Sequence, residues 1–458
     1  MIEQPPLCQI AFSVSHLRRT HRWYQEVFGF LPGGGTRLFR GPLASRVQGL
    51  PNAASTCWWL VDQQEFFQLE MFQFTSPLVR PRPPDWRPCD IGYTTVGLHV
   101  ADFDATLDRL QRTGVRPLTA AIGARGARRV CVHDPEGALL ELMEDDPRLP
   151  TARPRLRPEL PVATRSITLS VADLERSRRF FVDTLGLSEV RELQLHRPEH
   201  EALWGLPGAQ RAAALLAAGD LLVEVVQYRD PIGKPWPDGY RISDLGLLNI
   251  AFGFRSQAHF DAAYQRCVSA GIRGNWRPLN LGAWAVVYVN DDQRFSVELL
   301  FVRPWFDRPM GFRPALPYLD VRTIIAAPRD VVWKQITDHE SMVSWSPFTE
   351  VTLSREGVPE RNGCGAVRRM RGLGMTLEEE VVRWEPPERY DYRVIAGAPV
   401  RNHSGHVMLR EVGGGTEVRW AIRFRPIVPG TGWVIRSMLQ RGVADMLQRL
   451  KRKIESAA

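Results

Sequence analysis

Four segments in which apolar and polar residues alternate each run directly into an amphipathic helix. Alternation with a period of two residues predicts a half-buried strand, and apolar residues three and four positions apart predict a helix. A glycine follows the last apolar position of each predicted helix, which is a common way for a helix to end. The strand segments begin at Ile10, Val96, Ile167 and Ile250, and the helices end at Gly29, Gly114, Gly186 and Gly271.

Each predicted helix follows a residue in the N-cap position. Asp102 and Asp173 stand there in the second and third copies, where a carboxylate oxygen can accept a hydrogen bond from a free N–H of the first turn. His16 and Ser256 occupy the equivalent positions in the first and fourth copies. The agreement of strand, cap and helix indicates an internal repeat, and we call each copy a module.

Every module closes on a further alternating strand that carries one glutamate. Turn-forming residues precede two of these strands, at 133–137 and 290–293, and predict hairpins there. A module is therefore a strand, a helix and several further strands. The four glutamates are Glu70, Glu141, Glu224 and Glu298.

Proline-rich segments divide the chain into three predicted domains. Segment 147–161 separates the first two modules from the next two, and segment 303–317 separates the modules from a tail with a different pattern. The tail reads as a strand, a helix, several strands and a long amphipathic helix. We expect paired modules in domains 1–148 and 160–305, and a third domain at 317–458.

Composition narrows the classes of function. The chain has 458 residues and a net charge of +8, but its 59 Lys and Arg stand against 51 Asp and Glu without a concentrated basic run. This argues against nucleic-acid binding. No apolar run reaches the length that a membrane-spanning helix needs, so no membrane insertion is expected. The sequence begins without the pattern of a signal peptide, and its six cysteines are widely spaced, which favours a cytoplasmic location.

The motifs resemble two known families. "SVADLERSRRFFVDTLGL" (170–187), "HDPEGALLELME" (133–144) and "VNDDQRFSVELL" (289–300) resemble the βαβββ module of the vicinal oxygen chelate superfamily, which includes glyoxalase I, extradiol dioxygenases and bleomycin-resistance proteins. "IIAAPRDVVWKQITDHESMVSWSPF" (324–348) resembles the START-like helix-grip family, also called SRPBCC or polyketide cyclase/dehydrase-like. The resemblance implies an α+β fold of two paired-module, glyoxalase-like domains followed by a helix-grip domain, in which a curved antiparallel sheet wraps a long helix.

The resemblance also implies where a divalent metal would bind. Paired modules in the superfamily hold the metal with one residue of each first strand, seven positions before the cap, and one glutamate of each last strand. No histidine stands at the first-strand positions, so we set aside the iron site of the extradiol dioxygenases. In the first paired domain the resemblance predicts a degenerate Mg or Mn site with Gln9, Glu70 and Glu141 as ligands. The four first-strand positions are Gln9, Thr95, Ser166 and Asn249.

Other side chains are candidates for catalysis or ligand binding. Glu70, Glu141 and Glu298 are predicted acid or base groups, because a carboxyl in a partly apolar cavity has a raised pKa; an inherited structural role is the alternative. His196 and His200 fall in a predicted loop and are expected to be solvated. The predicted ligand-binding residues are Trp58, Phe72, Glu224, Asn249, Trp345, Tyr392 and His403, for which core packing or a surface position is the alternative.

Two functions fit these features. The first is a lyase, isomerase or cyclase that acts on a hydrophobic oxygenated metabolite such as a polyketide, an aromatic or a steroid-like compound. The alternative is a binding protein that sequesters such a molecule without turning it over, as bleomycin-resistance relatives do. The missing histidine ligands favour binding, and the fusion to a cyclase-like domain favours the enzyme. The sequence leaves the oligomeric state open.

Overall fold

The computed structural model describes residues 4–315, 317–372, 374–428 and 430–456. The chain forms two compact units, residues 1–315 and 316–458, which we call the first and second units. Both contain helices and sheets, which confirms the expected α+β class. The ends of the expected first and last domains, 1–3 and 457–458, lie outside the described residues.

The four modules make up the first unit. Module 1 comprises β1 (Leu7–Ser13), α1 (Leu17–Phe28), β2 (Leu31–Gly35), β3 (Phe39–Arg40), α2 (Pro42–Gln48), β4 (Ala54–Val61) and β5 (Gln68–Ser76). Module 2 comprises β6 (Gly92–Val100), α3 (Phe103–Arg112), β7 (Arg129–His133) and β8 (Leu139–Met143). Module 3 comprises β9 (Val162–Ser170), α4 (Leu174–Arg178) with a π-helical extension (Arg179–Thr184), β10 (Ser188–Glu189), a 3-10 helix (Pro198–Trp204), β11 (Gln210–Ala218) and β12 (Leu221–Asp230). Module 4 comprises β13 (Gly246–Phe254), α5 (Gln257–Ser269), β14 (Arg273–Gly274), β15 (Leu279–Asn280), β16 (Trp284–Asn290) and β17 (Ser296–Val302), followed by a 3-10 turn (Pro304–Phe306).

The modules pair in a different order from the one expected. The first sheet runs β14-β16-β17-β13-β1-β5-β4-β2, so it joins modules 1 and 4 through the antiparallel strands β1 and β13. The second sheet runs β10-β11-β12-β9-β6-β8-β7 and joins modules 2 and 3 through β6 and β9. The prediction that sequential modules pair within 1–148 and within 160–305 is therefore wrong. Segment 77–91 between modules 1 and 2 is as rich in proline as segment 147–161, so proline content does not show which connection crosses between sheets.

One face of each sheet packs into a shared core. The largest apolar cluster contains Ile10 and Ile250 of the first sheet, Val96 and Ile167 of the second, and residues of the helices such as Tyr24. The expected strand alternation holds, because the neighbouring residues of opposite parity lie on the other face of each sheet. That other face, which carries the closing-strand glutamates, is where a site can form.

Two of the four module helices have a side-chain hydrogen bond at the N-cap, and two do not. The Asp102 carboxylate accepts a hydrogen bond from the Ala105 N–H at 3.1 Å, and the Asp173 carboxylate accepts one from the Arg176 N–H at 3.0 Å. These predicted caps are confirmed, whereas the Ser256 side chain makes no cap hydrogen bond.

Loss of the Asp173 cap should therefore cost stability. Asp173→Ala is expected to lower the free energy of unfolding by about 1 kcal/mol, since it leaves an N–H of the first turn unpaired. Ser256→Ala is the matched control and should change it much less. Urea unfolding of both variants measures the difference, and equal losses would contradict the cap assignment.

The second unit has the helix-grip arrangement. Its elements are β18 (Tyr318–Ile325), α6 (Arg329–Thr337), a 3-10 turn (Glu340–Ser344), β19 (Glu350–Arg355), β20 (Val367–Gly372), β21 (Met375–Glu385), β22 (Arg389–Ala396), β23 (Val400–Val412), β24 (Gly415–Pro426) and α7 (Gly432–Glu455). The sheet is antiparallel, in the order β18-β24-β23-β22-β21-β20-β19, and the long helix α7 buries Leu447, Leu450 and Ile454 in the core beneath it. No helix among the described residues is long and apolar enough to cross a membrane.

Candidate functional site

The pairing of modules 1 and 4 brings four polar side chains to the middle of the first sheet. In the strand register, Ala11 of β1 lies between Glu70 of β5 and Asn249 of β13. Two residues along, Ala251 of β13 lies between Gln9 of β1 and Glu298 of β17. All of these residues share one face, and the two alanines leave room for the longer side chains around them. We call the set Gln9, Glu70, Asn249 and Glu298 the first site.

The two halves of the first site are related by an approximate twofold repeat. Trp59 of β4 is the cross-strand partner of Glu70 and donates its indole N–H to Oε1 at 3.0 Å. Tyr288 of β16 is the cross-strand partner of Glu298 and hydrogen-bonds to it. Cys57 adds a second donor to Glu70, with 3.1 Å between Sγ and Oε1. Each carboxylate is thus oriented by an aromatic donor from the adjacent strand.

One oxygen of each of the four side chains has no hydrogen-bond partner. Gln9 Oε1, Glu70 Oε2, Asn249 Oδ1 and Glu298 Oε2 are all buried and unpartnered. Buried polar atoms are normally paired, and leaving one unpaired costs about 1–3 kcal/mol. Four unpaired oxygens that come from four adjoining strands therefore indicate a place built to receive a polar group or a cation.

Burial and mutual repulsion raise the pKa values of the two carboxyls at this site. Burial raises the pKa of Glu70, although the hydrogen bonds from Trp59 and Cys57 partly offset it. Burial and then the charge of Glu70 raise the pKa of Glu298 well above its usual value, and hydrogen bonds from Tyr288 and Asn249 offset only part of this. Each negative charge disfavours the other, so the two carboxyls titrate as a coupled pair whose ionisation is shifted to higher pH.

A divalent metal fits the donor set of the first site. Four oxygens, two of them from carboxylates, are ligands that Mg²⁺ and Mn²⁺ prefer. Among the described residues no three His, Cys, Asp or Glu side chains are grouped as metal ligands, so binding here depends on the amides of Gln9 and Asn249. The predicted ligand Glu141 does not belong to this set, because the structure places it on the second sheet; Asn249 and Glu298 take that place.

The second sheet carries a different arrangement at the equivalent place. His196, from the loop before the 3-10 helix of module 3, lies between Glu141 of β8 and Glu224 of β12. Its Nε2 is 3.1 Å from Glu141 Oε2, and its Nδ1 is 2.6 Å from Glu224 Oε2. Arg129 and Arg211 each add an ion pair, at 3.1 Å to Glu141 and 3.3 Å to Glu224. These five residues form what we call the second site.

The charged groups of the second site shift one another's pKa values. Burial alone would lower the pKa of His196, but the charges of Glu141 and Glu224 raise it to about 9. Against the effect of burial, His196 holds the pKa of Glu141 at about 2 and lowers that of Glu224. An imidazolium therefore stands between the two carboxylates, where the superfamily resemblance implies a metal.

The expectation that His196 and His200 are solvated is wrong. Both are buried, and the His196 ring packs edge-on against Trp204 with 4.7 Å between ring centroids. The sequence does contain one indication that this site differs from a metal site. Thr95 and Ser166, at the first-strand positions of modules 2 and 3, are too short to be the usual ligands. A cavity of about 650 Å³ adjoins the second site, lined by apolar residues together with His196, Arg211 and Glu224 among others.

The remaining predicted ligand-binding residues are divided among different environments. Phe72 lies on the same face as Glu70, in a cluster with Trp59. Trp58 lies on the opposite face, where its ring packs edge-on against His21 at 5.3 Å, so the prediction that it lines the site is wrong.

The predicted residues of the second unit gather near its core. Trp345 and Tyr392 are buried, and the Tyr392 hydroxyl accepts a hydrogen bond from the Trp420 indole at 2.8 Å. The His403 ring lies 5.5 Å from that of Tyr392, and burial, followed by the charge of His406, lowers the pKa of His403 to about 3. These contacts place the three side chains within or beside the helix-grip interior, and their binding role stays a prediction.

Comparisons with known proteins agree with this description. A family model described as glyoxalase/bleomycin resistance protein/dioxygenase superfamily matches residues 8–132, and a model described as polyketide cyclase/dehydrase and lipid transport matches residues 319–455. No curated protein sequence matches the chain significantly.

Several solved structures are similar in fold to parts of the chain. Glyoxalase I from Zea mays is 16% identical with a TM-score of 0.42 and covers 65% of this chain and 92% of its own. A putative dioxygenase from Bacillus subtilis is 13% identical with a TM-score of 0.47, covering 68% and 91%. A START superfamily protein from Mycobacterium smegmatis is 12% identical with a TM-score of 0.28, covering 31% and 99%.

Proposed function

We propose that the first unit is an enzyme of the lyase or isomerase type that moves a proton on a hydrophobic, oxygen-bearing small molecule at the first site. The supporting observation is the set of four unpartnered buried oxygens, two of which belong to carboxyls whose pKa values are raised by burial. The family matches support small-molecule binding or metabolism in general.

The two carboxyls suit opposite halves of such a reaction. The ionised member can accept a proton from a carbon next to a carbonyl, because burial has made it a stronger base than a solvated carboxylate. The protonated member can return a proton at the neighbouring carbon or oxygen. Trp59 and Tyr288 fix one oxygen of each carboxyl and leave the other aimed at the substrate.

A bound Mg²⁺ or Mn²⁺ would supply Lewis acidity at the first site, polarising an oxygen of the substrate. Gln9, Glu70, Asn249 and Glu298 are the residues that would hold it. The raised pKa values add a consequence, since carboxylates must be ionised to bind a metal and binding would release a proton.

The second unit is proposed to hold the apolar part of the same class of molecule in its helix-grip interior. A second candidate function is sequestration without turnover. The second site supports it, since its carboxylates are already paired to His196 and the arginines and are not available as a base or as metal ligands.

Metal binding at the first site is the direct test. We expect Mn²⁺, titrated into the full chain and followed by calorimetry or electron paramagnetic resonance, to bind one site and release protons. Glu70→Gln should weaken binding roughly 10- to 100-fold, a loss typical of damage to a metal site. Glu26→Gln, at an exposed position of α1, is the matched control and should bind as the native chain does.

The result also separates the two functions. Native mass spectrometry of the chain from its own host identifies a co-purified ligand. If that ligand stays unaltered on incubation and Glu70→Gln binds it as tightly as the native chain, sequestration is correct. If Mn²⁺ fails to bind and Glu70→Gln leaves turnover unchanged, the first site is not the catalytic centre.

A further inference from the structure

Three side chains on the outer face of the second unit's sheet form a chain of hydrogen bonds. The Ser404 hydroxyl lies 2.8 Å from His406 Nε2, and His406 Nδ1 lies 3.0 Å from Asp391 Oδ1. Asp391 of β22 is the cross-strand partner of His406 on β23, and Ser404 is two residues before His406 on the same face. The inner face of these strands is a separate surface, since Tyr390, Tyr392 and Val407 are buried in the core there.

Asp391 is held in a position that orients the imidazole. Arg389 donates to both of its oxygens, with 2.8 Å from Nε to Oδ1 and 2.8 Å from a terminal nitrogen to Oδ2. Burial would raise the pKa of Asp391, but His406 and Arg389 outweigh it and hold the pKa well below its usual value. An ionised Asp391 accepts the Nδ1–H of His406, which leaves Nε2 as the acceptor for the Ser404 O–H.

The backbone before Ser404 departs from regular strand geometry. The register between β23 and β24 shifts between Arg401 and Ser404, so the strand bulges there. Asn402, inside the bulge, has a φ of 51°, in the left-handed region that residues other than glycine rarely adopt. Bulges of this kind re-aim side chains and occur next to active sites.

The neighbouring strand supplies positive charge. Ser404 pairs across the ladder with Arg423, and Arg425 follows on the same face of β24 and is exposed. A serine that is activated by a histidine and flanked by guanidinium groups is suited to a substrate with an anionic group close to the bond that reacts.

We propose that Ser404 and His406, with Asp391 as the positioning residue, form a nucleophile–base site for acyl transfer from carboxylic esters that carry an anionic group. This activity is independent of the first site. It uses a serine and a histidine that have no role in the proposed proton transfer, and it needs only an ester and water.

The chemistry of the step balances. The Ser404 oxygen forms a bond to the ester carbonyl carbon while its proton passes to His406 Nε2. The tetrahedral adduct then collapses, the bond from carbon to the alcohol oxygen breaks, and His406 returns the proton to the departing alcohol. Water repeats the sequence on the acyl-serine, which releases the carboxylic acid and restores the Ser404 hydroxyl.

Labelling of the full chain tests this site. Mono(4-nitrophenyl) succinate is the anionic ester probe, and 4-nitrophenyl butyrate is its neutral counterpart. We expect a burst of nitrophenol with the succinyl group attached to Ser404, mapped by peptide mass spectrometry. The anionic probe should react faster than the neutral one.

Variants separate activation from simple exposure. Ser404→Ala should lose the acyl group, and His406→Gln and Asp391→Asn should each slow acylation by roughly 100-fold or more, the usual value of general base catalysis. Ser344→Ala, which removes an exposed serine of the same unit, is the matched control and should react like the native chain. Far-UV circular dichroism shows that each variant is folded.

The mapping of the native chain decides the case even if a variant fails to fold. Acylation of the half-buried Ser404 above that of exposed serines such as Ser344 supports the site. If the native chain carries no acyl group on Ser404, or if folded His406→Gln is acylated as fast as the native chain, the proposal is wrong. Neither result depends on the proton transfer proposed for the first site, which Glu70→Gln tests separately.

Discussion

Replacing His196 by alanine is expected to destabilise the first unit by about 3–5 kcal/mol, the usual cost of removing one partner from a buried ionic cluster. The substitution leaves the facing carboxylates of Glu141 and Glu224 without the imidazolium that lies 3.1 Å and 2.6 Å from them. Arg129 and Arg211 each contact only one of the two carboxylates, so repulsion between them returns. Urea or thermal unfolding of the full chain, followed by tryptophan fluorescence, measures the loss.

Two comparisons make the cause of that loss specific. His16→Ala removes an exposed histidine from the same unit and should change stability by less than about 0.5 kcal/mol. Adding Glu141→Gln and Glu224→Gln to His196→Ala should recover part of the loss, because the uncompensated charges are then gone. If Glu141→Gln and Glu224→Gln instead lower the stability of His196→Ala by as much as they lower that of the native chain, the imidazolium does not act through these carboxylates.

The dependence on pH has a definite sign. A group whose pKa is raised on folding, as that of His196 is to about 9, stabilises fully below its unfolded value near 6.5. That contribution is lost as the pH rises from about 6.5 through about 9. The native chain should therefore lose stability in this interval, and His196→Ala should lose much less. Parallel stability profiles of the two chains would contradict the assigned charge of His196.

Local patterns in the sequence identified the elements that carry both sites. The closing strands and their glutamates were predicted because alternation reports which face of its own strand a residue occupies. Gln9 and Asn249 were found by their spacing from the predicted caps, within the resemblance to the paired-module family. These features depend on residues close together in the chain, and for that reason they are visible in one sequence.

The partners of these residues depend on long-range pairing, which local patterns do not report. Each module presents a similar first strand, so nothing in β1 itself specifies β13 rather than β6 as its neighbour. His196 reaches its carboxylates from a loop without periodicity. The Ser404, His406 and Asp391 cluster joins two strands across a bulge, and a bulge changes the face on which the following residues lie.

The two sites of the first unit lie at equivalent places on similar sheets, but their carboxyl groups are partnered differently. At the second site a cation of the protein satisfies the carboxylates, and the arrangement stabilises the fold. At the first site one oxygen each of Gln9, Glu70, Asn249 and Glu298 has no partner, which costs stability. Residues that serve a function are often not the ones that would give the folded protein its highest stability. Substitutions at the two sites should therefore have opposite signs.

Glu298→Gln is accordingly expected to stabilise the native chain by about 1 kcal/mol or more near neutral pH, because the folded chain has to keep the Glu298 carboxyl protonated where the unfolded chain ionises it, and glutamine carries no such cost. The sign follows from the raised pKa of Glu298. The unfolded chain loses this proton near pH 4.5 whereas the folded chain keeps it, so native stability falls as the pH rises above about 4.5. Glu298→Gln should remove that slope, and Glu26→Gln should keep it.

Mn²⁺ should stabilise the native chain but not Glu298→Gln, because only the native site offers the second carboxylate. A loss of stability in Glu298→Gln at neutral pH would mean that a positive charge stabilises this carboxylate in the folded chain and that Glu298 does not serve as a metal ligand.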